Sequence, residues 1–105
     1  MCEDTENTKA IEEVVTTLEA NEQKLIELYE YGYSNSALED AIWQDIEIAS
    51  DGRLSDDSAK IQVLSRIVAR YNTRISCYDD NDDTLTRGQL ETISDLYADL
   101  KFMKT

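Results

Sequence analysis

The chain contains no histidine and no proline, with 3 glycines and 2 cysteines in 105 residues. Without histidine, and with Cys2 and Cys77 as its only thiols, a single copy cannot build a His/Cys zinc site or a Ser–His or Cys–His nucleophile pair. Cys2 and Cys77 read as free thiols rather than a disulfide framework. Arg74 is the only base close to Cys77 in sequence, so nothing local marks a reactive thiol. There is no glycine-rich phosphate loop. No apolar run reaches the ~18 residues that read as a membrane span, and no apolar stretch after Met1 reads as a secretory leader. The expectation is therefore a cytoplasmic chain. Bases are scarce as well: 10 Lys+Arg stand against 23 Asp+Glu, a net charge of −13. A protein that grips phosphates needs clustered Lys and Arg, so direct nucleic-acid binding is excluded.

What remains is enough for a folded core. Hydrophobic residues make up 41% of the chain, which argues against wholesale disorder despite the charge. Nothing divides residues 1–105, so they read as a single domain. The apolar periodicity is helical throughout, with no sustained alternation that would mark a strand. Ile11, Val14, Val15, Leu18, Leu25, Ile26, Leu28 and Tyr29 follow helical spacing, with Glu22 the one polar residue on the stripe. With no Gly or Pro to interrupt it, the segment predicts one helix over about 7–31, stopped by a left-handed Gly32. Ser36 and Glu39 have capping-box spacing, predicting a second helix that begins at Ser36 and ends at Asp51-Gly52. Leu38, Ala41, Ile42, Ile46 and Ala49 form its buried face.

A third helix follows Ser55 and runs to about Cys77, on the stripe Ile61, Leu64, Ile67, Val68, Tyr71 and Ile75. Thr86 and Gln89 form a second capping box. They open a fourth helix carrying Leu90, Ile93, Leu96, Tyr97, Leu100 and Met103. The fold class is thus all-α, a small antiparallel bundle of about four helices.

The charge is segregated. Residues 1–57 hold 16 acids and 3 bases, whereas residues 58–105 hold 7 of each. On a wheel of ~100° per residue, Glu12, Glu19 and Glu30 fall within about 20° of one another, along roughly 27 Å of helix. Glu13 and Glu27 extend this acidic line toward solvent. It reads either as a solvated face or as a surface that meets a basic partner by electrostatic steering. Nucleic-acid-processing proteins have such basic grooves by necessity. A small acidic helical chain could occupy one by imitating phosphate charge, as an inhibitor or modulator of viral or mobile-element type would. Tyr31, Tyr33 and Trp43 supply candidate apolar anchors. Trp43 could alternatively cover the edge of the core, and the tyrosines could cap the end of the bundle.

Arg66, Arg70 and Arg74 recur every fourth residue on the third helix. They fit internal pairing with the acids of the first two helices, an anionic ligand, or a face through which a structural or assembly subunit associates with its own copies. Asp45 falls inside the buried arc of the second helix and calls for a counter-ion, for which an Arg of the third helix is the candidate. The Asp79–Asp83 run, threaded on a calcium loop, places Tyr78, Asp83 and Gln89 at defining positions where they do not belong, so it reads as an ordinary acidic loop. The sequence therefore points to a non-enzymatic interaction protein. It carries no catalytic residue, no metal site, no cofactor and no membrane contact.

Overall fold

The computed structural model describes the backbone of residues 2–54 and 56–105 and their side chains from Thr8 onward. It is all-helical: α1 (Cys2–Ala20), α2 (Glu22–Tyr31), α3 (Asn35–Ser50), α4 (Asp57–Ser76) and α5 (Arg87–Lys104). None of these helices is long and apolar enough to cross a membrane.

The apolar stripes explain how the helices assemble. Ile11, Val14, Val15 and Leu18 of α1, Leu38, Ile42 and Ile46 of α3, Leu64, Ile67 and Tyr71 of α4, and Leu90, Ile93 and Leu100 of α5 are all buried. They join one core cluster that also draws in Leu54 and Leu85 from the connections. A fully buried aliphatic or aromatic side chain contributes about 1.5–3 kcal/mol, so this shared core is the main cohesive term. The α4–α5 interface is the most extensive; α1 lies across α3 and α4, and α3 also meets α5. The radius of gyration is 13.7 Å, close to the ~13 Å of a compact chain of this length.

Three expectations need correction. The first segment is two helices rather than one, which raises the count from four to five. At Asn21 the backbone leaves helical geometry (φ −95°, ψ 6°). Its N–H is shared between the carbonyls of Thr17 (3.2 Å) and Leu18 (3.1 Å), while its own carbonyl accepts the Leu25 N–H. The chain thus bends with few orphaned groups, which is why neither Gly nor Pro is required. Next, α3 is capped by Ser34 rather than Ser36: the Ser34 hydroxyl accepts the Ala37 N–H at 3.2 Å. The Ser36–Glu39 box is absent, and Glu39 is buried. Finally, Tyr29 and Met103 are exposed although they continue the apolar stripes. Each sits in the last turn of its helix, beyond the buried residues of that helix.

The other stops and starts match the sequence. Gly32 is left-handed (φ 115°), and the Tyr33 N–H reaches the Leu28 carbonyl while the Gly32 N–H reaches Tyr29, the Schellman arrangement. Asp51 and Gly52 both have positive φ. Thr86 and Gln89 form a complete capping box.

These glycines make opposite predictions. A Cβ on Gly32 meets nothing within 4 Å, but its φ of 115° disfavours any L side chain. Gly32→Ala should therefore cost about 1–2 kcal/mol. Gly88 lies within α5 with only the Thr86 hydroxyl near, at 4.0 Å, so Gly88→Ala should add about 0.4–1 kcal/mol. Urea unfolding followed by circular dichroism measures both.

Candidate functional site

The arginine stripe meets the acidic line inside the chain. The Arg66 Nη1 lies 2.7 Å from Glu12 Oε1, and Arg70 spans Glu12 (3.3 Å) and Glu19 (2.9 Å). Arg74, the most buried of the three, grips both Glu22 oxygens (2.9 and 3.1 Å) and donates to Asp83 Oδ1 at 3.2 Å. Its guanidinium lies 5.1 Å from the centre of the Tyr71 ring, which stacks on Tyr97. Burial, and next the charge of Glu22, hold the Tyr71 hydroxyl in its neutral form. Glu13 pairs with Arg53. This ladder fixes α1 and α2 to α4. It engages Arg66, Arg70 and Arg74 within one copy, with Arg66 and Arg70 still partly exposed.

The remaining expected partner-binding residues separate into two groups. Glu27 is exposed with no ion pair, and Glu30 accepts a hydrogen bond from the Gln89 amide at 3.2 Å. The kink at Asn21 removes both from the line that Glu12 and Glu19 begin. Tyr31 and Tyr33 are exposed at the α2–α3 turn with ring centres 6.0 Å apart. Trp43 is half-buried against the core, with Lys104 Nζ 4.8 Å and Lys60 Nζ 5.3 Å from its ring centre. It covers the core edge, the second of the two roles its position allowed.

The acidic loop is held by its own turns. Asp79 accepts the Asn81 N–H at 2.9 Å, and Asp83 is bound by Arg74. Among the described residues no three acids or thiols converge as a metal site would require.

Among the described residues, the buried charges have counter-ions except at Glu39. Glu22 has Arg74, and Lys60 has Glu47 at 2.7 Å. Glu39 is 5% exposed and has neither ion pair nor hydrogen bond among the described residues. Burial raises its pKa above the ordinary value, and the nearby charges of Asp99 and Asp40 raise it further. Asp40 of α3 and Asp95 and Asp99 of α5 are exposed and form no ion pair among the described residues. Sequence reasoning assigned Glu39 to a cap. The signal it overlooked is the wheel position, about 100° from Leu38 and between Ile46 and Trp43.

Asp45 likewise does not find an arginine of α4. It is half-buried, with its pKa raised by burial and opposed by Lys24. Comparison of the chain with protein-family models, curated proteins and solved structures found no match.

The two kinds of carboxylate environment respond differently to substitution. Arg74→Ala should destabilise the fold by about 3 kcal/mol, because it strands the largely buried Glu22. Arg66→Ala should cost about 0–1 kcal/mol, since that pair is half in solvent; chemical denaturation distinguishes the two. Glu39 has the opposite sign. The folded chain holds its proton to higher pH than the unfolded chain, so stability falls as pH rises from 4.5, the ordinary value, through the raised one. Glu39→Gln should therefore stabilise the isolated protein at pH 7. Unfolding at pH 3.5 should show that gain gone.

Proposed function

We propose that this protein is a non-enzymatic binding module whose α3–α5 acidic face docks on a basic surface of another protein. Glu39 lies at its centre, flanked by Asp40 and Asp99, with Tyr31 and Tyr33 as anchors at the neighbouring turn. The observation that carries the reading is Glu39, whose side chain is largely covered, whose carboxylate has no ion pair among the described residues, and which stands beside two like charges. Partial burial beside Asp40 and Asp99 gains the chain nothing within itself. A Lys or Arg of a docked partner supplies the missing cation. The grooves of nucleic-acid-processing proteins have that chemistry, so the module acts there as an inhibitor or modulator.

In this reading the docking charge lies away from α1. Glu12, Glu13 and Glu19 are already matched by arginines, so they add little to the field a partner meets. The acids of α3, which carries no base, together with Asp99 of α5 supply it, and Glu27 and Glu30 extend it toward the tyrosines.

The test compares two triple variants of equal charge: Glu39→Gln/Asp40→Asn/Asp99→Asn, and Asp51→Asn/Asp56→Asn/Asp57→Asn in the α3–α4 connection. Partners are captured from native lysate at low salt, and association is measured by surface plasmon resonance across a salt series. The first variant should slow association about tenfold and flatten its salt dependence, whereas the second should leave both nearly unchanged. Tyr31→Ala and Tyr33→Ala should speed dissociation. Equal losses in the two triple variants would mean that only net charge matters, and the docking face would be wrong.

A further inference from the structure

Where the chain bends at Asn21, α1, α2, α3 and α5 enclose a cleft of about 190 Å³. Four polar side chains line it: Asn21, Lys24, Asp45 and Tyr97. None is used up by the fold. The Asn21 side chain makes no capping hydrogen bond. Lys24 and Asp45 share the cleft without forming an ion pair, and Tyr97 has no hydrogen-bond partner for its hydroxyl among the described residues. The rest of the lining is apolar, with Leu18, Leu25 and Ile42 prominent.

An apolar pocket with a few convergent, unspent polar groups is the usual form of a small-molecule site. Two features narrow the ligand. The volume is below the about 300–1,000 Å³ of drug-sized pockets, which leaves room for a molecule of amino-acid size. The two charges have opposite sign and are not joined, so each is open to a separate ligand group. We propose that this cleft binds a small zwitterion with an aliphatic side chain, its ammonium on Asp45, its carboxylate on Lys24 and its hydrocarbon part against the leucines. Asn21 and Tyr97 supply further hydrogen bonds at the same wall.

The half-buried state of Asp45 fits this role. Burial raises its pKa, the mark of a carboxylate short of partners, and a ligand ammonium would supply one. The site is independent of the Glu39 face, because Asp45 lies on the other flank of the buried arc of α3, about 120° around the helix from Glu39. Failure of one reading leaves the other standing.

Titration of the ¹⁵N-labelled protein with L-leucine, followed by amide chemical shifts, tests the proposal. Isopentylamine and 4-methylpentanoate serve as probes that each lack one charge. Leucine should produce saturable shifts at Asn21, Lys24, Ala41, Ile42 and Asp45 with a Kd in the millimolar range or tighter, and each single-charge probe should bind at least tenfold more weakly. Asp45→Asn and Lys24→Met, checked for helicity by circular dichroism, should each weaken leucine at least tenfold, whereas Asp82→Asn in the exposed loop should not. No saturation by 20 mM leucine would overturn the proposal. So would shifts outside the cleft, or an amine that binds as well as leucine.

Discussion

Arg74 ties together three parts of the chain that are distant in sequence. Its fork holds Glu22 at the start of α2 and Asp83 in the α4–α5 connection, and it lies against the Tyr71 ring at the centre of the core. The bend at Asn21 is what turns Glu22 toward that fork. Without the pair, α2 could continue the axis of α1, as its propensity allows, and the cleft would lose the wall formed by Lys24, Leu25 and Leu28. A largely buried ion pair adds little net stability compared with an apolar replacement of the same shape. Its contribution here is direction: it specifies where α2 points, and hence where the exposed tyrosines stand.

The segregation of charge along the sequence becomes complementarity in space. The acidic N-terminal half supplies Glu12, Glu19 and Glu22, and α4 returns an arginine to each at a spacing of one helical turn. Residues four apart share a face of a helix, so a single stripe can meet successive turns of α1 and α2. Most exposed pairs of this kind are individually weak. Together they neutralise the inner edge of α1 and leave the net negative charge concentrated elsewhere, on α3, the end of α2 and the connecting loops.

The core was largely legible because a 3.6-residue stripe constrains which side chains can meet. Val14, Leu38, Leu64, Ile67 and Leu100 lie on expected stripes and are buried. Caps were legible where one residue had an unrivalled claim, as at Thr86 and Gly32. They were not where two serines competed: Ser34 and Ser36 are equally able acceptors, and the choice of Ser34 moved the start of α3 and freed Glu39 from the cap. The Asn21 bend leaves no Gly or Pro signature, since a shared N–H satisfies the backbone. Lys60 illustrates the remaining limit. A local pattern shows a cation near an apolar stripe, but its burial depends on Trp43 and Glu47 from another helix. The same limit applied to the candidate site. Sequence located the acidity, but which acids are free is a property of pairs between helices.

Two acids of α3, Glu39 and Asp45, form no ion pair among the described residues. Glu39 and Asp45 flank the same buried arc, and burial raises the pKa of each. A helix chosen only for stability would carry apolar residues at both positions, as Leu38, Ile42 and Ile46 do between them. Glu22 shows that this chain can match an acid at depth when geometry is the only requirement. The two unmatched acids face different surroundings, one toward Asp99 and the solvent edge of α5, the other into the cleft with Lys24. Local conflict of this kind is expected where a surface serves something other than its own fold. On the proposed readings it is α3, outside the arginine ladder, that carries both acids.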